Sequence, residues 1–268
     1  MRLFLIATAV AVLLGGLPAP ANAENAPRCG PAAAAQASSE DADTCELQSV
    51  LKRLHENAAE LEACVAKLEY LFIESPDLLD AHSLRTGRLY YVQTDDRSRV
   101  RIDFETLKQD DFEPQQRREI FLFDGVWLTK VDYELEQVDR YQQAPEGEPI
   151  DAIEFISHHF PLVGFSGTRH VEAEFDVRLG RDSEDDPNLI HLVLDVPEDS
   201  RYSEDYSEID FWIDRDLFLP RRIRALSTLG DIFDLRFFDI ETDKKPEKQI
   251  FEIDPPAHFR KNIEPLKQ

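Results

Sequence analysis

The stretch that decides the fold is REIFLFDGVWLTKVDYELEQVDRY, running from Arg118 to Tyr141. Ile120, Phe121, Leu122 and Phe123 are all apolar. Asp124-Gly125 turns the chain, and Val126, Trp127 and Leu128 follow. Asp-Gly between two apolar runs is a hairpin signal. A surface hairpin alternates apolar and polar residues, whereas a strand covered on both faces does not. The reading is therefore a hairpin in mid-sheet with something apolar on each side of it.

Strands extend in both directions from there. Upstream, TGRLYYVQT and RVRIDFE read as strands, the second with Val100, Ile102 and Phe104 against Arg99, Arg101 and Asp103. Downstream come LEQVDRYQ, then HVEAEFDVRL (Val171, Ala173, Phe175, Val177 and Leu179 on one face), NLIHLVLDVP, SEIDFWIDR, LPRRIRALST, DIFDLRFFDIET and a short closing FEIDPP. Two helices interrupt the series. Leu47, Val50, Leu51, Leu54 and Ala58 recur at helical spacing over 45–60, with Thr44 placed to cap the first turn. Ile150, Ile153, Phe155 and Ile156 do so over 150–160, closed by Pro161 and Gly164. One helix, five or six strands, a second helix and about five more strands, with no βαβ alternation, imply an α+β fold or barrel built on an antiparallel sheet.

The chain opens on MRLFLIATAVAVLLGGLPAPANA, which reads as a secretory signal peptide cleaved after Ala23. Residues 24–44, rich in Ala, Ser, Pro and acids, read as a disordered leader, and residues 45–268 as one domain. The first cysteine, Cys29, follows Ala26-Pro27-Arg28, a poor setting for lipid attachment. With Cys45 and Cys64 it makes an odd set of three; Cys45 and Cys64 lie too far apart along the first helix to bridge, which leaves open a Cys29–Cys45 bridge or three unpaired thiols. Arg2 is the only charge in the leader peptide, so its removal takes the formal charge from −24 to −25. Such a surface repels nucleic acid and anionic headgroups, and any lipid contact must come from a specific apolar site.

Three blocks resemble the periplasmic outer-membrane lipoprotein carriers, the LolA/LolB-like superfamily. They are TGRLYYVQTDDRSRVRIDF, the opening hairpin, and EIDFWIDRDLFLPRRIRALSTLGDIFDLRFFDIETD with the following FEIDPP. The resemblance implies an incomplete barrel: a strongly curved antiparallel sheet of about 11 strands covered by helices, whose apolar interior receives the acyl chains of a lipoprotein or lipid without a cofactor. It makes Tyr91, Phe104, Phe121, Phe123, Trp127, Phe211, Trp212 and Phe237 candidates for the inner wall, and residues 150–168 part of a lid. Phe211 and Trp212 are neighbours on one strand and cannot both face inward. The chain departs from the carriers at Gln93-Thr94-Asp95-Asp96, where they show a basic residue followed by proline. A module of the same shape that binds an envelope protein partner is the alternative function.

Other chemistry is weakly signalled. His158, His159, His170 and His191 lack any zinc-enzyme spacing. DSEDDPN (182–188) has proline where a calcium loop needs glycine. GFSGT, with Ser166, lacks the context of a nucleophile elbow. Arg221, Arg222 and Arg224 read as a solvated strand face, or else as a docking site for an acidic partner. The expectation is a non-enzymatic, exported binding protein.

Overall fold

A computed structural model of the chain describes residues 39–75, 81–152, 155, 171–172, 174–180, 186–200, 202–242 and 244–266. The signal peptide, most of the leader, Cys29, Ser166, His158, His159, His170, residues 182–185 and most of the second helix and lid lie outside the described residues. The chain divides into two compact units, residues 1–45 and 46–268. The first is described only over residues 39–45, and Cys45 within it is disulfide-bonded.

Helix α1 spans Ser39–Glu60, starting before the expected cap at Thr44. Its strands follow as β1 (Ala63–Ile73), β2 (His82–Gln93), β3 (Ser98–Gln109), β4 (Gln115–Phe123), β5 (Trp127–Asp132) and β6 (Gln137–Gln142). Then come β7 (Asp176–Leu179), β8 (Leu189–Asp195), β9 (Tyr206–Asp214), β10 (Pro220–Ser227), β11 (Ile232–Glu241), a single 3₁₀ turn (Lys248–Phe251) and β12 (Arg260–Glu264). All twelve described strands form one sheet in the order β12-β6-β5-β4-β3-β2-β1-β11-β10-β9-β8-β7. Every pairing is antiparallel except β6 with β12. The sheet is open, because β12 and β7 are its two ends.

One contiguous buried cluster collects Tyr91, Ile102 and Phe123 from the first half of the sheet and Leu192, Phe211 and Phe237 from the second. Strands so far apart in the order meet on one face only if the sheet bends round that face. The concave side also receives Val50, Leu51 and Leu54 of α1. The C-terminal half of α1 is anchored where β1 begins: Asn57 Nδ2 donates to the Leu217 carbonyl (2.8 Å), and the Arg53 guanidinium lies 4.4 Å from the centre of the Phe218 ring. At the same end Ser98 Oγ donates to Asp151 (2.6 Å) and accepts from the Ala152 N–H (2.6 Å), fixing the start of the second helical segment.

The hairpin that is apolar on both faces finds a different cover on each. Phe123 points into the concave core, where its ring stacks on Phe155 with centres 3.9 Å apart. Ile120 points outward and joins Val131 and Val138 in a separate small cluster closed by Phe259. The outer cover is thus the C-terminal segment, which crosses the convex side as a strap. Arg101 donates to the Ile250 carbonyl, Tyr133 meets Phe259 edge-on at 5.5 Å, and the strap ends as β12 along the edge of β6.

Two expectations are corrected here. FEIDPP is no strand: Phe251 closes the 3₁₀ turn, the following residues run irregularly, and the last strand is Arg260–Glu264, which brings the total to twelve. The proposed strand over 171–179 is confined to Asp176–Leu179, and Val171, Glu172 and Glu174 are helical, with the Phe175 N–H bonded to the Val171 carbonyl (2.9 Å). Residues i and i+4 share a face in both a helix and a strand, so buried Val171 and Phe175 satisfied either reading.

Gly87 faces Leu68 and Phe104 across the β1–β2–β3 ladder, beside an irregularity in the β2–β3 register. A Cβ at this position would stand 1.9 Å from the Asp103 carbonyl oxygen and 2.9 Å from Phe104 Cα. Both obstacles are backbone, so the strands themselves must part. Gly87→Ala is expected to cost about 2–3 kcal/mol, read as a lowered urea midpoint. A midpoint equal to wild type would show that this close approach is not required.

Acidic side chains close several turns. Asp214 Oδ1 accepts the Asp216 and Leu217 N–H groups (2.9 and 3.0 Å), and its Oδ2 accepts from Arg221 (2.8 Å). Burial alone would raise this carboxyl, but the Leu217 N–H, Arg221 and the Asp216 N–H together hold it below its ordinary value. A carboxyl held low in the folded state contributes stability above its unfolded pKa and loses it as pH falls through the folded one. Part of the acid destabilisation, setting in below about pH 4, is therefore assigned to Asp214. Asp214→Asn is expected to narrow the gap between melting temperatures at pH 7 and pH 3, and an unchanged gap would contradict this assignment.

Candidate functional site

The concave face is the place where this fold could hold a guest. The eight aromatics expected on it divide by strand parity. Tyr91, Phe104, Phe123, Phe211 and Phe237 are buried in the single concave cluster, and Phe121 packs against it half-buried. Trp127 and Trp212 lie outside that cluster, on the convex side. Trp127 alternates with Leu128, which packs inward; its indole N–H donates to Glu146 (2.9 Å), and the Arg140 guanidinium covers its ring at 4.7 Å. Trp212 alternates with inward Phe211 and Ile213.

The concave face has two unlike ends. At the end where β1 begins, α1 and the segment around Ala152 and Phe155 fill the space with side chains. Towards the end where β1 finishes, the wall is only half-buried: Tyr70, Phe121, Tyr206 and Phe233 pack against the core without entering it. Their rings form chains of contacts. Tyr70 lies 6.3 Å from Phe104, Phe104 meets Phe121 edge-on at 6.0 Å, Phe233 lies 5.2 Å from Phe72, and Tyr206 meets Phe233 edge-on at 6.1 Å. Sequence reasoning missed Tyr70, Phe72 and Phe233, although their alternate spacing (Leu68, Tyr70, Phe72; Phe233, Leu235, Phe237) was there to find them.

Charged side chains share this wall. The registers Tyr70↔Arg85, Phe104↔Glu119 and Phe121↔Lys130 place Arg85, Glu119 and Lys130 on the concave side. Glu119 and Asp132 are nearly sealed from solvent and are engaged by Arg117 at 3.3 and 2.7 Å. Asp132 also accepts the Glu134 and Leu135 N–H groups (3.0 and 2.9 Å).

The thiol and the phenols of the interior are held neutral. Burial pushes the Cys64 thiol up to about 12. It likewise raises the Tyr70 hydroxyl, which Arg85 lowers again in part, and the Tyr91 hydroxyl, with Asp151 and Cys64 adding to the effect. Tyr206 rises to about 12 through burial, then Asp205 and Tyr202. A wall of phenols, aromatic rings and aliphatic side chains can adsorb hydrocarbon.

Two further features lie elsewhere. A cleft of about 320 Å³ opens at the end of α1, between Asn57, Leu61, Leu217 and Thr242, with Lys245 and Glu62 paired at 2.7 Å on its rim. On the convex side of β8–β11, His191 stacks flat on Trp212 at 4.7 Å and Arg222 lies 4.4 Å from the same ring. Arg222 grips Asp234 with two bonds (3.0 and 2.6 Å), and Asp210 takes His191 at 2.8 Å and Arg224 at 3.5 Å. The arginines of LPRRIRA thus form an ion-paired ladder with buried aspartates. Among the described residues no helix is long and apolar enough to cross a membrane.

No protein-family model matches the chain, and neither does any curated protein. Solved structures do. An uncharacterized conserved protein from Thermus thermophilus matches with a TM-score of 0.48 at 13% identity, over 81% of this chain and 99% of that one. MucB in the Pseudomonas aeruginosa MucA/MucB complex matches at 0.42 and 17% identity, over 78% of this chain and 61% of that one. A LolA superfamily protein from Nitrosomonas europaea matches at 0.33 and 16% identity, over 75% and 96%. Each of these is a distant likeness in identity as well as in fold.

Proposed function

We propose that this chain is an exported binding protein of the cell envelope that holds acyl chains of a lipoprotein or lipid against its concave face. The observation that carries the reading is the half-buried aromatic wall of Tyr70, Phe121, Tyr206 and Phe233 at one end of that face. Such a contiguous apolar surface is costly to expose and marks a binding site more often than chance. The expected leader peptide and the sequence blocks that resemble those of lipoprotein carriers support the same reading. Burying about fifteen methylenes gains on the order of 12 kcal/mol, and an association cost of about 4 kcal/mol leaves roughly 8 kcal/mol, a micromolar complex. No charged site or cofactor is needed for affinity of that order.

The test is to express the full chain with its own leader, collect it from a bacterial periplasm and analyse it by native mass spectrometry and lipid extraction. Co-purifying acyl lipid, or displacement of cis-parinaric acid at micromolar concentrations, is the expected result. A protein that carries no lipid and ignores the probe would overturn the reading. A second reading, a module that binds an envelope protein, is favoured by one observation. The convex Trp212–Arg222 pair is only partly covered, and tryptophan and arginine dominate the energetic centres of protein interfaces. Trp212→Ala would then abolish capture of that partner while leaving probe binding intact.

A further inference from the structure

The aromatic wall carries two cations without hydrogen-bonded carboxylates, in a chain whose formal charge is −24. Arg85 lies with its guanidinium 5.9 Å from the centre of the Phe104 ring, and Lys130 has its ammonium 5.4 Å from that of Phe121. These two rings are the ones that meet edge-on at 6.0 Å. Arg85 Nε is sealed from solvent and has no hydrogen-bond partner. Its nearest carboxylate, Glu119 Oε2, stands at 3.8 Å, outside hydrogen-bond range, and the other oxygen of Glu119 belongs to Arg117. The Arg85 side chain as a whole keeps 32% of its surface exposed. A buried guanidinium N–H without an acceptor is an unmet demand that proteins rarely leave standing.

We propose that Arg85 receives the oxyanion head of a single-chain amphiphile whose hydrocarbon lies along Tyr70, Phe104 and Phe121. The shared chemistry is a carboxylate or phosphate, which can take an N–H from each terminal nitrogen of one guanidinium in an end-on pairing with two parallel bonds, since Nε itself is sealed. Lys130 adds a second positive charge on the same wall. Of the acids nearby, Asp132 is held by Arg117 and closes its own turn, while Glu119 is divided between Arg117 and a long ion pair to Arg85 that an incoming head displaces. This proposal rests on the acyl-binding reading above and adds to it a preference for anionic heads at a named residue.

The experiment measures displacement of cis-parinaric acid from the full chain by dodecanoate, dodecyl phosphate, dodecanol and dodecyltrimethylammonium. Wild type, Arg85→Leu and Arg85→Lys are compared. Wild type is expected to bind at least one of the two anions tenfold or more tightly than dodecanol, the tighter one naming the head. Arg85→Leu should remove that preference, and a circular-dichroism melt within a few degrees of wild type shows that the variant is folded. Arg85→Lys should fall between them. If wild type binds anion and alcohol alike, binds the cation best, or keeps its preference in Arg85→Leu, the proposal is overturned while acyl binding stands. If none of the four binds, both readings fall.

Discussion

Ending the chain at Pro246, which removes the 3₁₀ turn, Phe259 and β12, is expected to destabilise the fold by at least about 4 kcal/mol. Phe251 and Phe259 are both buried, and each contributes about 1.5–3 kcal/mol of apolar burial. Their loss also uncovers Ile120, Val131 and Val138 on the convex side, takes the Ile250 carbonyl from Arg101 and leaves the edge of β6 unpaired. A free edge beside an exposed apolar patch invites association between chains. The truncated chain should therefore show a lower urea midpoint and concentration-dependent light scattering. A midpoint unchanged by truncation would mean that the strap does not hold the convex face.

Phe123→Ala addresses the other face and should cost about 3–5 kcal/mol, the range for deleting a buried aromatic ring. Phe123 is 1% exposed and its ring stacks on Phe155, so the change cuts the link between β4 and the second helical segment. Phe123→Leu keeps most of the volume and should cost below about 1.5 kcal/mol. The double variant with Phe155→Ala should fall short of the summed single effects by about 0.5–1.5 kcal/mol, the coupling of a stacked pair. Strict additivity in chemical denaturation would contradict the stack.

Local pattern carried most of this architecture. Alternation in RVRIDF and the Asp-Gly turn at 124–125 place β3, β4 and β5 correctly, because a residue's face in a strand follows from its parity alone. The two-sided apolar character of 120–123 rightly signals cover on both sides. The identity of the outer cover was illegible: Arg101 and Ile250 are 149 positions apart, and nothing in the hairpin names the segment that returns to it. FEIDPP mimics a strand since Phe251 and Ile253 alternate with acids, yet Pro255 and Pro256 lack the N–H groups a ladder needs. The true last strand, RKNIE, is exposed along its whole length and has no apolar face to announce it.

The site was partly legible for the same reason. Of the eight aromatics that the resemblance makes candidates, six lie in or against the concave cluster, while Trp127 and Trp212 lie on the convex side. Parity separates Phe211 from Trp212 but does not say which of them faces inward; that is decided by Ile209 and Ile213, whose burial beside Phe211 requires the whole strand. Arg85 left no mark in the sequence. It falls among alternating residues of β2 as an ordinary polar position, and only the register opposite Tyr70 brings it onto the aromatic wall.

The central claim, that a hydrocarbon guest lies on the concave face, is tested most directly by quenching with a brominated fatty acid. The native Trp127 and Trp212 sit on the convex side, so 9,10-dibromostearate should leave most of their fluorescence intact. A tryptophan introduced by Phe121→Trp stands on the half-buried wall and should be quenched strongly, at the same concentrations that displace cis-parinaric acid. Equal quenching of the wild-type protein and the variant, or none in either, would contradict a guest held inside the curve of the sheet.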